Sequence, residues 1–573
     1  MEKTEKNHVL ENVIVVLLPL AVFAIWVLTC WDLNYQVHDD RYMMEFVSGK
    51  FLGHSDAHLV YIKYLFGLFL KFMYTTWTGI DWYGTFLFVI QFATIGIINW
   101  YLVCRQKKLR WKVVTVAVFY SFFCLCWLNE VTCFTYTTVA ALVGAAILVV
   151  FALAKDRLQD FVIVILLCLC CFNLRADVFF MVLPFAGVLW LYKCIKTKDI
   201  RYVKFLIGLG VALAVCFGLD QYAYKDKEWK AYQEYNQART LFYDYYYDDM
   251  VVYENYKETY EKLGITKNAC EILKSYDLSL YDEKLYEKIK ELPQYHMDKG
   301  SIFHKMWNGL KTVVTDGLLE SKVMTIVSIL FWGIAILLAL LGGDKNSILI
   351  EAVYIVCHVI LWEYLGCRGR LLPRVAHSML LIQIITPCIC GLFAWEHRKE
   401  RSFKWKRKLV AQMGLVGFGV ILIGVCSYDI LHARKLINKN HKEAGWRDHY
   451  IMEEYCKENP DNFYFFDVFS VVECKYTYTF HNPNTYENFL SLGDWFGNSP
   501  IYKEKLKLEQ INSVRDAVLH NKNVYIIGIK GRDLSYITGI TNERLELKAV
   551  DDLTGGNDEY VVYKIKYLTD KQF

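Results

Sequence analysis

The sequence predicts a polytopic α-helical membrane protein of about eleven transmembrane helices, carrying a C-terminal extracytoplasmic α/β domain. Three observations carry that prediction. Hydrophobic residues make up 55% of the 573 and charged residues only 22%. The apolar residues fall in long runs rather than short alternating stretches, which marks a polytopic membrane protein. Beyond residue 427 the pattern changes to short strand-like segments alternating with helical ones.

A bilayer's hydrocarbon core requires roughly 17–25 apolar residues of a helix, and the runs that meet this are 11–30, 82–103, 113–128, 134–153, 160–174, 178–193, 204–221, 322–342, 348–365, 376–395 and 409–427. The first is read as a retained anchor, because Thr29-Cys30-Trp31 lacks a small-x-small cleavage pattern and further spans follow. RQKKLRWK (Arg105–Lys112), KCIKTKDIRYVK (Lys193–Lys204) and HRKERSFKWKRK (His397–Lys408) are dense in Lys and Arg. Eleven spans place all three, with the N-terminus, on the cytoplasmic side. A transmembrane domain 1–427 then presents two outward loops, 31–81 and 222–321, and the domain 428–573 also faces outward. The location expected is the cell membrane.

AHLVYIKYLFGLFLKFMYTTW (Ala57–Trp77) is long enough to span, but Lys63, Lys71 and its tyrosines make it amphipathic. Counting it as a span would also turn RQKKLRWK outward, so it is read as a helix in the outer interface. In the loop 222–321, Trp229, Tyr232 and Tyr235 recur at helical intervals and predict a helical, tyrosine-rich cap. Its rings could stack on sugars or pack short helices against the membrane body. In the tail, Phe463–Phe469, Asn523–Ile529, Leu545–Val550 and Tyr560–Tyr567 read as strands, and Val514–Asn521 and Arg532–Ile540 as helices. IGIKGRD (Ile527–Asp533) has two glycines after a strand but no full nucleotide-binding pattern.

A net charge of +4 with its basic residues in short loops does not imply nucleic acid. Most of the 18 cysteines lie inside predicted spans as small packing residues, without zinc spacing. Cys270, Cys367, Cys456 and Cys474 face outward, where a disulfide is permitted.

Candidate chemistry begins in VHDDRYMMEF (Val37–Phe46), where Asp39 and Asp40 sit just past the first span, with Tyr42 and Glu45 at short helical spacing. Carboxylates at a helix start also cap free amides and favour the dipole. Further companions are Asp56 and His58 ahead of the interfacial helix, and Glu130 in the turn between the third and fourth spans. Basic groups occupy other outward ends: Arg175 beside Asp177 in NLRADVFF, and Arg368, Arg370, Arg374 and His377 in GCRGRLLPRVAH. A lone Arg near a helix end is usually an anchor. Three within seven residues on the outer face, where the positive-inside rule gives them no topological role, form a candidate anion site. Carboxylates facing guanidinium groups beside lipid suit attack of a hydroxyl on a sugar held by a lipid phosphate: the carboxylate takes the proton and the Arg forks neutralise the leaving phosphate.

One span, an outward loop with an acidic pair and Tyr, an interfacial helix with His near its start, many further spans and an outward tail together resemble the GT-C superfamily of membrane glycosyltransferases. That superfamily includes the protein O-mannosyltransferases, the lipid A aminoarabinose transferase and the oligosaccharyltransferases. The motif match covers roughly the first 180 residues, and His58 lacks the two prolines that follow the corresponding mannosyltransferase His. The resemblance implies inverting transfer of a hexosyl or pentosyl group from a polyprenyl-phosphate or polyprenyl-diphosphate donor to a glycan, lipid or protein acceptor at the cell surface. It places Asp39 as catalytic acid-base residue with Asp40 beside it and Glu130 as a second acidic residue. Substrate contacts would come from Tyr42, His58, Arg175, Arg368, Arg370, Arg374 and His377. Asp39 and Asp40 would also suit a magnesium or manganese ion, which some members need. A transporter or lipid flippase would instead line a path with intramembrane charges, and a non-catalytic surface protein would need no paired acids.

Overall fold

The computed structural model describes residues 2–246, 252–281, 288, 291, 302–342, 345–368, 371–398, 447–472, 474–481, 485–541, 543–555 and 558–568. Among these, nine helices are long and apolar enough to cross a membrane: His8–Cys30, Trp82–Cys104, Leu109–Cys126, Tyr136–Leu153, Ala176–Thr197, Arg201–Ala223, Lys322–Leu340, Asn346–Cys367 and Pro373–Ala394. A shorter apolar helix, Leu158–Leu174, joins them. Each matches one of the first ten predicted spans. The predicted span 409–427 and nearly all of the third basic loop lie outside the described residues. The protein is a multi-pass helical membrane protein with an α/β region at its C-terminal end.

The core of the body is the Tyr136–Leu153 helix, all of whose residues are buried. Its small residues fit this position, because Thr137, Thr138, Ala140, Ala141, Gly144, Ala145 and Ala146 let neighbouring helices approach closely. A Cβ added at Gly144 would lie 2.6 Å from a methyl of Val182. The Arg201–Ala223 helix sits at the rim instead, with Ile207, Val211 and Val215 exposed to the surroundings.

Two sheets bring distant segments to one end of this body. In the first, β1 (Asn34–Tyr35) pairs with β2 (Cys133–Phe134) and with β5 (Cys474–Thr477), and β5 pairs with β3 (Arg447–Asp448). It stitches the first loop, the turn before the Tyr136–Leu153 helix, and the tail. The second sheet has the order β6-β4-β7-β9-β8. Its β6 (Phe489–Ser491), β4 (Phe463–Phe466) and β7 (Val524–Ile529) are parallel, whereas β9 (Asp558–Tyr567) and β8 (Leu545–Gly555) close it antiparallel. All four predicted strands are present, and the predicted helix at 532–540 is a 3₁₀ turn at Ser535–Ile540.

The 222–321 loop supplies the Lys227–Leu241 helix, on which Trp229, Tyr232 and Tyr235 are all buried, so these rings pack rather than stand open. The loop docks on the tail through Asp277. Its Oδ1 accepts from the Val468 amide at 3.0 Å and its Oδ2 from the Tyr536 hydroxyl at 2.5 Å. Beside it, Asp467 accepts from Arg532 Nε at 3.0 Å and from Ser470 Oγ at 2.8 Å.

The interfacial helix is shorter than the sequence suggests. Residues 57–63 are not helical and the helix runs Tyr64–Thr76, because Lys63 is pinned by its amide to the Asn173 carbonyl at 2.8 Å and by Nζ to Asp220 at 2.6 Å. Thirteen residues rise about 20 Å, short of a hydrocarbon core of about 30 Å. Both ends return to the sheet-bearing end of the body, since Tyr74 and Tyr35 each donate a hydroxyl to Asp81 at 2.8 and 2.7 Å. The first two basic loops lie at the other end, where Lys112 meets Glu11 and Lys193 meets Asp156 at 2.7 and 2.9 Å.

Candidate functional site

The His38–Ser48 helix begins with both acidic residues in its first turn, yet its N-cap, Val37, makes no side-chain cap. Asp40 turns away from its own helix. Its Oδ1 accepts from the Tyr83 hydroxyl at 2.7 Å and from the Tyr136 amide, the first of the central helix, at 3.2 Å. The Thr135 side chain also favours its charged form. Burial pushes this carboxyl up to about 7, against the hydrogen bonds that favour its charged form.

Asp39 keeps a 12% exposed side chain, and its Oδ1 lies 3.4 Å from His38 Nε2. The same nitrogen is 3.3 Å from Oδ1 of Asp494 in the tail. Burial lowers the basicity of His38, but Asp494 and Asp39 outweigh it and push the imidazole up to about 9, with the charge of Arg374 acting in the opposite sense. His38 is therefore a cation at neutral pH, held between two carboxylates.

Basic groups from three other segments converge here. Arg175 donates to the Tyr136 hydroxyl at 3.3 Å and pairs with Asp177 at 2.9 Å. Its guanidinium lies 5.5 Å from the ring centroids of both Tyr61 and Tyr136, which stack nearly parallel at 6.1 Å. Burial lowers its basicity, but the Tyr136, Asp177, Tyr61 and Asp39 side chains together hold it above the usual range. Arg374 acts electrostatically on both His38 and Tyr136, so it belongs to the same neighbourhood although 334 to 336 positions separate it from Asp40 and His38. Glu130, 1% exposed, accepts from Gln36 Nε2 at 3.3 Å and meets His377 Nδ1 at 2.7 Å.

The structure thus brings Asp39, Asp40, Glu130, Arg175, Arg374 and His377 to one region. The other predicted residues stand differently. Tyr42 packs its ring on Phe496 at 4.3 Å. His58 bonds Asp56 at 2.8 Å and stacks on Trp229 at 4.8 Å, joining the first loop to the Lys227–Leu241 helix without contacting either acidic residue. Arg368 is exposed, with its guanidinium 5.1 Å over Tyr364. Arg370 lies outside the described residues. None of the cysteines among the described residues forms a disulfide.

Sequence reasoning missed His38, Asp494 and the Tyr61–Tyr136 pair. His38 lies inside the VHDDRY stretch, but its significance depends on a partner 456 positions away. The first-loop helix is also locked to the tail by Arg41, which is buried and pairs with Glu45, with Glu453 at 2.8 Å, and with His449. Asp39 and Asp40 engage different partners, and no group of three or more His, Cys, Asp or Glu among the described residues is placed to hold a metal ion. We derive no step through one.

No family model matches the chain, and no curated protein matches it significantly.

Proposed function

We propose that the protein is a membrane glycosyltransferase that takes a sugar from a polyprenyl-phosphate carrier and delivers it to a hydroxyl acceptor on the outer face of the membrane. The observation that supports this reading best is a largely buried carboxylate, Asp39, set among the half-buried cations His38, Arg175 and Arg374, at the end of the helical body where the interfacial helix turns its apolar residues outward. Such a border is where a lipid-borne phosphate and a water-borne acceptor can meet.

In the reaction, Asp39 accepts the proton of the acceptor hydroxyl as that oxygen bonds the anomeric carbon. The bond from the same carbon to the phosphate oxygen breaks, and its electron pair leaves on the polyprenyl phosphate. Arg374, whose guanidinium makes no hydrogen bond or ion pair among the described residues, and Arg175 meet that developing charge. Asp40 holds the Tyr83 and Tyr136 ends in place. The orientation follows from the two basic loops at the opposite end, which the positive-inside rule assigns to the cytoplasm.

The test is transfer of radiolabelled sugar from undecaprenyl-phosphate donors by the purified protein. Asp39→Asn keeps the size of the side chain but cannot take a proton, so the rate should fall by about 10²- to 10⁴-fold with an unchanged melting temperature. Full activity in folded Asp39→Asn protein would sink the reading.

A further inference from the structure

Buried polar atoms that lack partners are uncommon, because each forfeits its hydration without compensation. Three gather in one neighbourhood of this molecule: Oε1 of Gln36, Oδ2 of Asp494 and Nε1 of Trp495 have no hydrogen-bond partner among the described residues. Asp494 is 1% and Trp495 2% exposed. They are linked in space, since Trp495 lies 4.7 Å from Tyr61, Tyr61 stacks on Tyr136, and Asp494 meets the His38 that also faces Asp39.

Two further features single out Asp494. Its φ of 75° is left-handed, a region that few residues other than Gly, Asn and Asp enter. The preceding Gly493 runs so close to the 222–321 loop that an added Cβ would lie 2.0 Å from the Tyr276 carbonyl. Second, Asp494 follows β6, at the carboxyl edge of the parallel strands. In open α/β sheets that edge is where ligands bind.

We propose that Asp494 and Trp495 form a subsite, contributed by the tail, that binds hydroxyl groups of the transferred sugar. This rests on the transferase reading and names the part of the donor that the subsite recognises. The chemistry separates two ends of the site. The unpartnered Asp494 oxygen and the Gln36 amide oxygen accept and the Trp495 Nε1 donates, which matches sugar hydroxyls that do both, while the Asp494 charge repels a phosphate. Arg374 and Arg175 do the reverse. One oxygen of Asp494 holds His38 while the other remains for the ligand, so Asp494 couples recognition of the sugar to the group beside Asp39.

The experiment compares binding of undecaprenyl phosphate alone with binding of the same lipid carrying glucose, galactose, mannose or arabinose, using the full chain in lipid nanodiscs. Wild-type protein should bind the best sugar-bearing lipid about tenfold or more tightly than the bare lipid. Asp494→Asn should lose about ten- to a hundredfold in affinity for the sugar-bearing lipid, and Trp495→Phe about two- to tenfold, while bare-lipid affinity stays unchanged. Should Asp494→Asn fail to fold, Trp495→Phe carries the same comparison. If both folded variants keep the full preference for the sugar-bearing lipid, the subsite is wrong while the transferase reading survives. If the wild type binds neither form, both fall together.

Discussion

Two buried carboxylate pairs in this protein look alike in composition and differ in what surrounds them. At the loop-to-tail junction, every oxygen of Asp277 and Asp467 accepts a hydrogen bond from Val468, Tyr536, Ser470 or Arg532. In the candidate site, Asp40 is held by Tyr83, Tyr136 and the Thr135 side chain, whereas Asp494 buries one oxygen with no hydrogen-bond partner among the described residues. A fully partnered carboxylate acts as a joint, since each oxygen ties two segments together even where burial still raises the group. A half-partnered one carries an uncompensated cost that only a ligand or a changing charge would offset. Burial alone does not separate the two kinds; the bookkeeping of lone pairs does.

Substitutions can break or sharpen that contrast. The largest expected effect is on chemistry without stability, the loss of transfer in Asp39→Asn described above. The counterpart is Asp467→Ala, which removes the ion-pair partner of Arg532 and the acceptor of the Ser470 hydroxyl at the junction. Removing one partner of a buried ion pair costs about 3–5 kcal/mol, and the 25% exposure of Arg532 brings the expectation to about 2–3 kcal/mol. It should appear as a lower melting temperature of the tail, with transfer per folded molecule retained. A normal melting temperature together with lost transfer would move the junction into the active machinery.

A subtler contrast is in pH. Burial, and then the charge of Asp467, raise Asp277 well above its ordinary 3.8, and burial raises Asp467 despite the opposing charge of Arg532. A carboxyl raised in the folded state favours folding while it is protonated. The contribution is full below the ordinary value near 3.8 and is lost as pH rises through the raised one. Protection of the 222–281 segment against proteolysis should therefore weaken from acid toward neutral pH. Asp277→Asn, which can still accept from Val468 and Tyr536, should flatten that dependence, and a profile that keeps its slope would exclude this pair as its source. The smallest effect expected is that of Arg374→Lys, which retains the charge but not the fork. It should lower kcat/KM for donor about three- to tenfold, with kcat falling as well because the fork meets charge that develops as the phosphate leaves.

What could be read from the sequence followed from periodicity and solvent. Ten of the described helices match expected spans because hydropathy answers to the bilayer directly, and four tail strands were visible as short apolar and aromatic runs between helical segments. Hydropathy did not say which helix is central. The Tyr136–Leu153 and Arg201–Ala223 helices have closely similar hydropathy, 2.3 and 2.1, yet are 100% and 22% buried. Small residues do not separate them either, since Gly208, Gly210 and Gly218 of the rim helix have no neighbour within 4 Å of an added Cβ, so the central position is set by tertiary packing. The candidate site was half visible. Asp39 and Arg374 stood out as charges near helix ends with no topological role, whereas Asp494 sits in a short irregular segment whose partner is set only by tertiary structure. His58 carried a signal of position in the loop, but its neighbours Asp56 and Trp229 make it a packing element.

The three-way pairing of β1 with β2 and β5 has a consequence for how the molecule is made. Asn34 emerges early, whereas its partner Thr477 follows 443 residues later. At roughly 5–20 residues per second of synthesis, the first loop waits about 20–90 s with the edge of β1 unclaimed, while helix after helix enters the bilayer. The membrane body can therefore be inserted long before the site exists, and the last quarter of the chain decides when the acidic pair first meets its full surroundings.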